Sequence, residues 1–424
     1  QFGEGEMDGS SWEQALDVAG FRKLLSGSVD LSKSTIYMSQ GKYVMSEESG
    51  LGVIVRKNVK AIKGGYSQFS EGTDVSARDI DTYVTVISGD VNGNKQADAG
   101  DCGLLLVKKG HITIEGVTFQ YGYVSEADAS TTECGSGIYV SGGAGDTSIE
   151  LTDCVIRDCT SGVTTSAKQG GPAVFVLSGQ VRLNNVNLLD NTAVGRGGAV
   201  RCNSKTAVVF MNGCLLKGNS HNGSWGNGIQ MSEGHICINN TTLIDNMGTG
   251  AALNGGGSIL LTNNTIIGNT SDSHGAVRCE TGVGGDTKFI NNLLLSENPS
   301  APSFNLNGSN FEAFSKGYNV YQRVTGITMS ASDTAYPNPV NGTLDEKGVY
   351  VWDLNQIGSV KGYATKQAVI EVAKSFNPVA SPIANLGEVF VEWVGEDAFG
   401  IDQREVTRNA NKMQAGAYDA VLTN

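Results

Sequence analysis

"GGAVRCNS" at Gly197–Ser204 returns as "HGAVRCET" at His274–Thr281. Looser versions stand at Gly135–Gly142 ("GSGIYVSG"), Gly171–Ser178 ("GPAVFVLS") and Gly226–Glu233 ("GNGIQMSE"). A second phrase recurs with it, in "LTDCVIRDCTS", "LNNVNLLDNTA", "MNGCLLKGNSH", "INNTTLIDNMG", "LTNNTIIGNTS" and "INNLLLSENPS". Its anchors are Cys159, Asn191, Asn219, Asn246, Asn269 and Asn298, and three residues before each lies Ile156, Leu188, Leu216, Leu243, Ile266 or Leu295. An earlier copy, "IEGVTFQYG", puts Phe119 in the aliphatic slot and Gly122 in the Asn slot. The step is 23 residues from Asn246 to Asn269 and 37 from Gly122 to Cys159, too variable for a helical-hairpin repeat and too short for a propeller blade.

A coil of short parallel strands meets these constraints. Successive turns of such a coil stack about 4.8 Å apart, so the same position in each turn must carry an inward apolar side chain. The aliphatic column supplies it. Asn suits the corner because it tolerates the left-handed backbone region and its side chain can hydrogen-bond along the axis of the stack. The glycines Gly137, Gly198, Gly228 and Gly275 mark a further corner.

Composition agrees with a turn-rich fold. The 424 residues include 57 Gly and 7 Pro, with 17% charged and 39% hydrophobic residues, too apolar for disorder. A net charge of −13 argues against nucleic acid as a partner, because phosphate-binding faces are basic. No apolar run approaches the roughly 18 residues of a membrane span. Any export signal or lipid-attachment cysteine is expected to lie outside these residues. The eight cysteines (Cys102, Cys134, Cys154, Cys159, Cys202, Cys214, Cys237, Cys279) form no C-x-x-C pair and no zinc spacing; buried free thiols are the first reading and one or more disulfides the second.

The raw ends of a strand coil need covering. "GSSWEQALDVAGFRKLL" reads as a capping helix, with Ser11 and Gln14 at capping-box spacing and Trp12, Ala15, Leu16 and Ala19 on one face. Residues 1–34 are therefore an N-terminal cap and 35–322 the repeats. Beyond that, 323–424 hold a last turn or two and a C-terminal cap, with strands "GVYVWDL" and "EVFVEWV" and a helical "TKQAVIEVAKSF".

Taken in order, "DGSSWEQAL", "STIYMSQGKYV", "IKGGY" with "ISGDVNGN", the repeats and the closing "GIDQREVTRNANKMQAGAYDA" resemble secreted bacterial right-handed parallel β-helix proteins. These carry repeats like those of chlamydial polymorphic outer membrane proteins and end in a choice-of-anchor Q segment. The resemblance covers nearly the whole chain. It implies an all-β, pectate-lyase-like single right-handed parallel β-helix, exported and attached to the cell or outer-membrane surface, commonly in Bacteroidetes. It does not imply one activity, since this coil hosts lyases, glycosidases and adhesins. The tail departs from the family pattern, with "QAGAYDA" where a "DIGAYE"-like phrase is expected.

Three groups of residues carry candidate chemistry. Asp90, Asn92, Asn94, Asp98 and Asp101 fall at positions one, three, five, nine and twelve of an EF-hand-like frame for Ca²⁺, although Lys95 replaces its turn glycine. A polar turn-rich loop is the plainer reading. Asp158, Asp190 and Asp245 precede corner anchors and are candidate glycosidase carboxylates, with turn formation the alternative. Lys168, Arg196, His221, Trp225, Asp272 and His274 follow the Asn corner and should project from one side as a binding face; Arg201 and Arg278 occupy matching strand positions. A serine protease is disfavoured, since no G-x-S-x-G phrase occurs and the four histidines (His111, His221, His235, His274) give no triad order. The expectation is a monomeric surface protein that binds a glycan or a partner protein, without cofactor unless Ca²⁺ is bound. A polysaccharide lyase or hydrolase, and a structural stalk, are the alternatives.

Overall fold

Short strands that cannot bury a face alone are stacked here into one coil. The computed structural model describes residues 8–417, leaving out 49, 73, 130–134, 144, 165–168, 224, 271–274, 280–285, 297, 299, 307–311, 326–328, 337–341, 346–349 and 353–359. Each turn runs through three parallel sheets, as in Val174–Val176 (sheet 1), Gly179–Asn184 (sheet 2) and Asn187–Leu189 (sheet 3). A fourth, two-residue strand, Thr192–Ala193, joins a narrow ribbon of its equivalents in four successive turns. Each strand of the coil pairs in parallel with its counterpart one turn away, so Val174 faces Val200 and Leu188 faces Leu216.

The inward column of sheet 3 is Phe119, Ile156, Leu188, Leu216, Leu243, Ile266 and Leu294, all with no exposed surface. Its last member is Leu294, where the repeat frame places Leu295. Three successive leucines let the apolar pattern slide by one, and a second asparagine pair, Asn264 Nδ2 to Asn292 Oδ1 at 3.1 Å, fixes the register. Asn298 accordingly lies outside the column.

The corner is built differently from its expected form. The left-handed residues are those before the anchors, Asp158 (φ 53°), Asp190 (54°), Gly218 (67°), Asp245 (54°) and Gly268 (65°). Asn191, Asn219, Asn246 and Asn269 turn their side chains inward and are buried. Asn191 Nδ2 donates to Asn219 Oδ1 (2.9 Å), Asn219 to Asn246 (2.8 Å) and Asn246 to Asn269 (2.7 Å). Each Nδ2 also donates to a carbonyl of the preceding turn, as Asn219 does to Leu188 O at 2.9 Å, and each Oδ1 accepts the backbone N–H above. The amide thus meets all its buried partners.

At the N-terminal end α1 (Val18–Ser26) buries Phe21 and Leu25 in the main core. It starts six residues later than the capping-box spacing suggests, because Asp17 rather than Ser11 caps it, accepting from Gly20 N at 2.7 Å. Ser11 and Gln14 form only a turn, and Trp12 packs on Tyr66 instead, 5.6 Å between ring centres. A one-turn helix, α2 (Glu126–Ala129), decorates an early loop.

The C-terminal cap lies against the flank of the coil. α3 (Lys366–Lys374) and α4 (Leu386–Val394) cover outward side chains of sheet 2, Phe210, Cys237, Leu260 and Ile290. "EVFVEWV" is therefore helical, not a strand: Leu386, Phe390 and Val391 share the buried stripe while Glu388 and Glu392 stay exposed. "GVYVWDL" supplies Tyr350–Trp352, the return arm of an antiparallel hairpin with Gly342–Leu344. The tail then straps the coil, with buried Arg408 donating to Asn240 Oδ1 at 2.8 Å and Gln403 Nε2 to Cys214 O at 2.8 Å. Among the described residues, no helix is long and apolar enough to cross a membrane.

Candidate binding face

Turn lengths vary mainly beside sheet 1. The corners between sheets 2 and 3 keep one length from Thr152–Val155 to Ile290–Leu293, whereas the loop entering sheet 1 spans 162–173 in one turn and 194–199 in the next. These loops and the short ribbon enclose a second compartment on the outer face of sheet 1. Its first turns are apolar: Leu106, Val124, Tyr139, Val163 and Phe175 pack together, with Tyr139 and Phe175 rings 5.7 Å apart.

From Arg201 onward the same column turns polar, running Phe175, Arg201, Gln230, Asn254, Arg278, Asn305 in register. Arg201 is 2% exposed; its guanidinium lies over Phe175 at 5.7 Å and donates to Gln169 O and, at 3.1 Å, to Asn203 Oδ1. Gln230 Oε1 accepts from Gly226 N (2.8 Å) and Asn254 Nδ2 (2.9 Å). His221 occupies the ribbon slot that is Ser161 and Ala193 in earlier turns, with Nε2 3.0 Å from Asn227 Oδ1. Burial holds its pKa below the usual imidazole value. His221 therefore faces inward instead of projecting with its loop row, and Arg201 on its strand faces inward too, because the ribbon and the sheet-1 column point toward each other, as Val124 and Phe175 do in the apolar turns. Gln230, Asn254 and Asn227 belong to this cluster as well. Their signal was legible in principle, since "GIQM" and "ALNG" carry Gln230 and Asn254 in the slot of Arg201 in "AVRC".

The solvent side of these loops presents Arg196 stacked on Trp225, with the guanidinium carbon 5.0 Å from the ring centre. Val194 and Met247, 41% and 50% exposed, stand at the ribbon's edge on other turns of the same side. Trp225 sits at φ 97°, a backbone region that costs a non-glycine residue about 1–3 kcal/mol. Gly250 of the next turn permits it, since a Cβ there would lie 1.2 Å from Trp225 O. Lys168, Asp272 and His274 lie outside the described residues. Arg278 shares the column of Arg201 with two turns between them.

The carboxylates do not join this cluster. Asp158, Asp190 and Asp245 hold the left-handed corner, and Gly218 breaks their row where a Cβ would meet Asp190 Oδ1 at 2.1 Å. Burial raises the pKa of Asp158, Arg157 beside it at 3.8 Å lowers it, and Asp190 raises it. Neither Asp158 nor Asp190 pairs with Arg196 or His221 among the described residues.

The residues of the EF-hand-like frame share one loop but not one focus. Asp90 is buried and accepts from Lys42 Nζ at 3.1 Å, so an ammonium already supplies its counter-charge. Asp101 Oδ1 accepts from Val91 N (2.9 Å) and Oδ2 from Asp98 N (3.1 Å), while Asp98 accepts from the Asn92 and Asn94 side-chain amides at 2.9 and 2.6 Å. These carboxylate oxygens accept from donors of the same loop and from Lys42. Among the described residues no three His, Cys, Asp or Glu side chains converge as metal ligands.

The seven described cysteines, all but Cys134, are free and buried. Burial pushes the thiols of Cys102, Cys154, Cys159, Cys202, Cys214 and Cys279 up to about 12, which keeps them from forming the reactive thiolate.

No match to this chain was found among curated proteins or among solved structures. A family model described as a right-handed beta helix region matches residues 80–294, just over half of the 424, and takes in both the stacked columns and the polar compartment. By its repeats, its parallel coil and this match, the chain belongs to the right-handed β-helix family.

Proposed function

We propose that this is an exported cell-surface protein that binds glycans without catalysis, at the loops beside sheet 1. One observation carries the reading: a solvent-facing Arg196–Trp225 stack, flanked by Val194 and Met247, stands on a backbone held in a costly conformation. Aromatic faces bind the apolar side of sugar rings, and a guanidinium fixes hydroxyl or carboxylate groups beside them. The buried polar column beneath keeps these loops in place through side-chain hydrogen bonds to backbone. Support for export and surface attachment comes from the resemblance of the front, repeat and tail phrases to secreted β-helix proteins with polymorphic-outer-membrane-protein-like repeats.

The test is a glycan and mucin array with the intact chain, followed by calorimetry on the hits. Trp225→Ala and Arg196→Ala should each weaken binding at least tenfold while leaving the thermal midpoint within a few degrees of wild type. Silence on every array defeats the reading. New reducing ends, or absorbance from unsaturated sugar ends, would replace binding with hydrolase or lyase activity.

A further inference from the structure

The segment before α1, α1 itself and the strand Leu31–Ser39 enclose a cavity of about 920 Å³ at the N-terminal end of the coil. Its size lies within the range of small-molecule sites, roughly 300–1,000 Å³. The wall sorts by chemistry. Buried and half-buried positions are mostly apolar, among them Leu16, Phe21, Leu24, Leu31, Ile36 and Tyr43, with Ser11, Thr35 and Ser39 as the polar members, whereas exposed positions include Ser10, Ser28 and Ser34 with Lys23 and Asp8. Two apolar side chains, Val29 and Tyr37, are 56% and 39% exposed beside this mouth.

Two of the polar atoms on the aromatic wall, those of Trp12 and Tyr43, are already committed to the protein. Trp12 Nε1 donates to Asp74 O at 2.8 Å, and Tyr43 Oη lies 3.1 Å from both Ser39 O and Ser39 Oγ. A sugar entering here would find ring faces and aliphatic carbons but few free donors, and water would be poorly held for the same reason. Elsewhere the coil leaves its inward columns without exposed surface, so an apolar volume left open among the described residues at one end is out of keeping with the rest of the core.

We propose that this cavity binds a single-chain amphiphile, its alkyl or aryl body against Leu16, Phe21, Leu24 and Ile36 and its polar head at the serine-lined mouth. The site is separate from the Arg196–Trp225 face and does not depend on the glycan reading.

The experiment titrates the full chain with N-phenyl-1-naphthylamine, which fluoresces in apolar surroundings, and then displaces it with dodecanoate below its micelle concentration. A saturable, displaceable signal is expected. Ala15→Phe and Leu24→Trp, which add bulk to the wall, should remove it, while Trp225→Ala should not. No saturable signal, or an unchanged one in folded Ala15→Phe and Leu24→Trp, overturns the proposal, as does a signal that follows self-association in light scattering. Should neither filled variant fold, hydrogen exchange of the wild type decides: dodecanoate must slow exchange across 31–39, and no slowing counts against the site.

Discussion

At the scale of single residues, the buried asparagines do work that no other side chain can. Asn219 donates twice through Nδ2 and accepts twice through Oδ1, all within the stack. Asn219→Ala should lower unfolding free energy in urea by about 2–3 kcal/mol, because the groups it serves in both neighbouring turns stay buried and unpaired. Asn219→Asp should cost more, about 3–5 kcal/mol, since the donors vanish and a charge is buried. The aspartate before each anchor is a different case. Asp245→Gly should change stability by no more than about 0.5 kcal/mol, because glycine adopts φ 54° freely, and it should leave glycan binding intact. His221 ties stability to pH. Its folded-state pKa lies below the ordinary 6.5, so the unfolded chain binds the proton first. The urea midpoint should hold above that value and fall as pH drops below it; His221→Gln should flatten the slope, His235 contributing the remainder in the same direction. A wild-type midpoint that is flat from pH 7 to 5 would contradict this assignment.

Among elements, the aliphatic and asparagine columns were legible because a stack repeats its requirements at each turn. The slip at Leu294 and Leu295 shows where that signal ends: a uniform leucine run carries no register of its own, and the bond that sets it lies one turn away. The α4 segment misled for a physical reason too. Val389, Phe390 and Val391 between glutamates form a β-branched and aromatic run like that of a strand, and only the outer face of sheet 2, created by folding, selects the helix. Phe390 packs edge-on against Phe210 at 5.2 Å, and Trp393 Nε1 donates to Glu150 Oε1 at 3.0 Å. Phe390→Ala should therefore cost about 3–5 kcal/mol by chemical denaturation, whereas Glu150→Gln, which removes charge at a partly exposed bond, should cost less than about 1 kcal/mol. The polar compartment stayed hidden at this scale. Sequence spacing places His221 in a loop row on one side of the coil and Arg201 on a strand, but only the ribbon shows that the two face each other's elements.

For the whole molecule, stability rests on stacking, and the described cysteines add no disulfide to it. The seven described thiols sit in a coil where no disulfide joins them, and burial suppresses the thiolate of each. An aromatic disulfide reagent at pH 8 should label none of these seven in the native chain and all of them in guanidinium, and reductant should leave the melting temperature unchanged. Adding millimolar Ca²⁺ should shift that temperature by less than about 1 °C, given a loop whose oxygens are already bonded. From Thr152 to Leu293 the corners between sheets 2 and 3 hold their length while the segments bordering sheet 1 run from 194–199 to 162–173. The shaft and its rim are therefore separable in inheritance: residues can be gained, lost or exchanged along one seam without the neighbouring rungs registering the change. A new specificity needs only a new loop, grafted between an unaltered pair of strands.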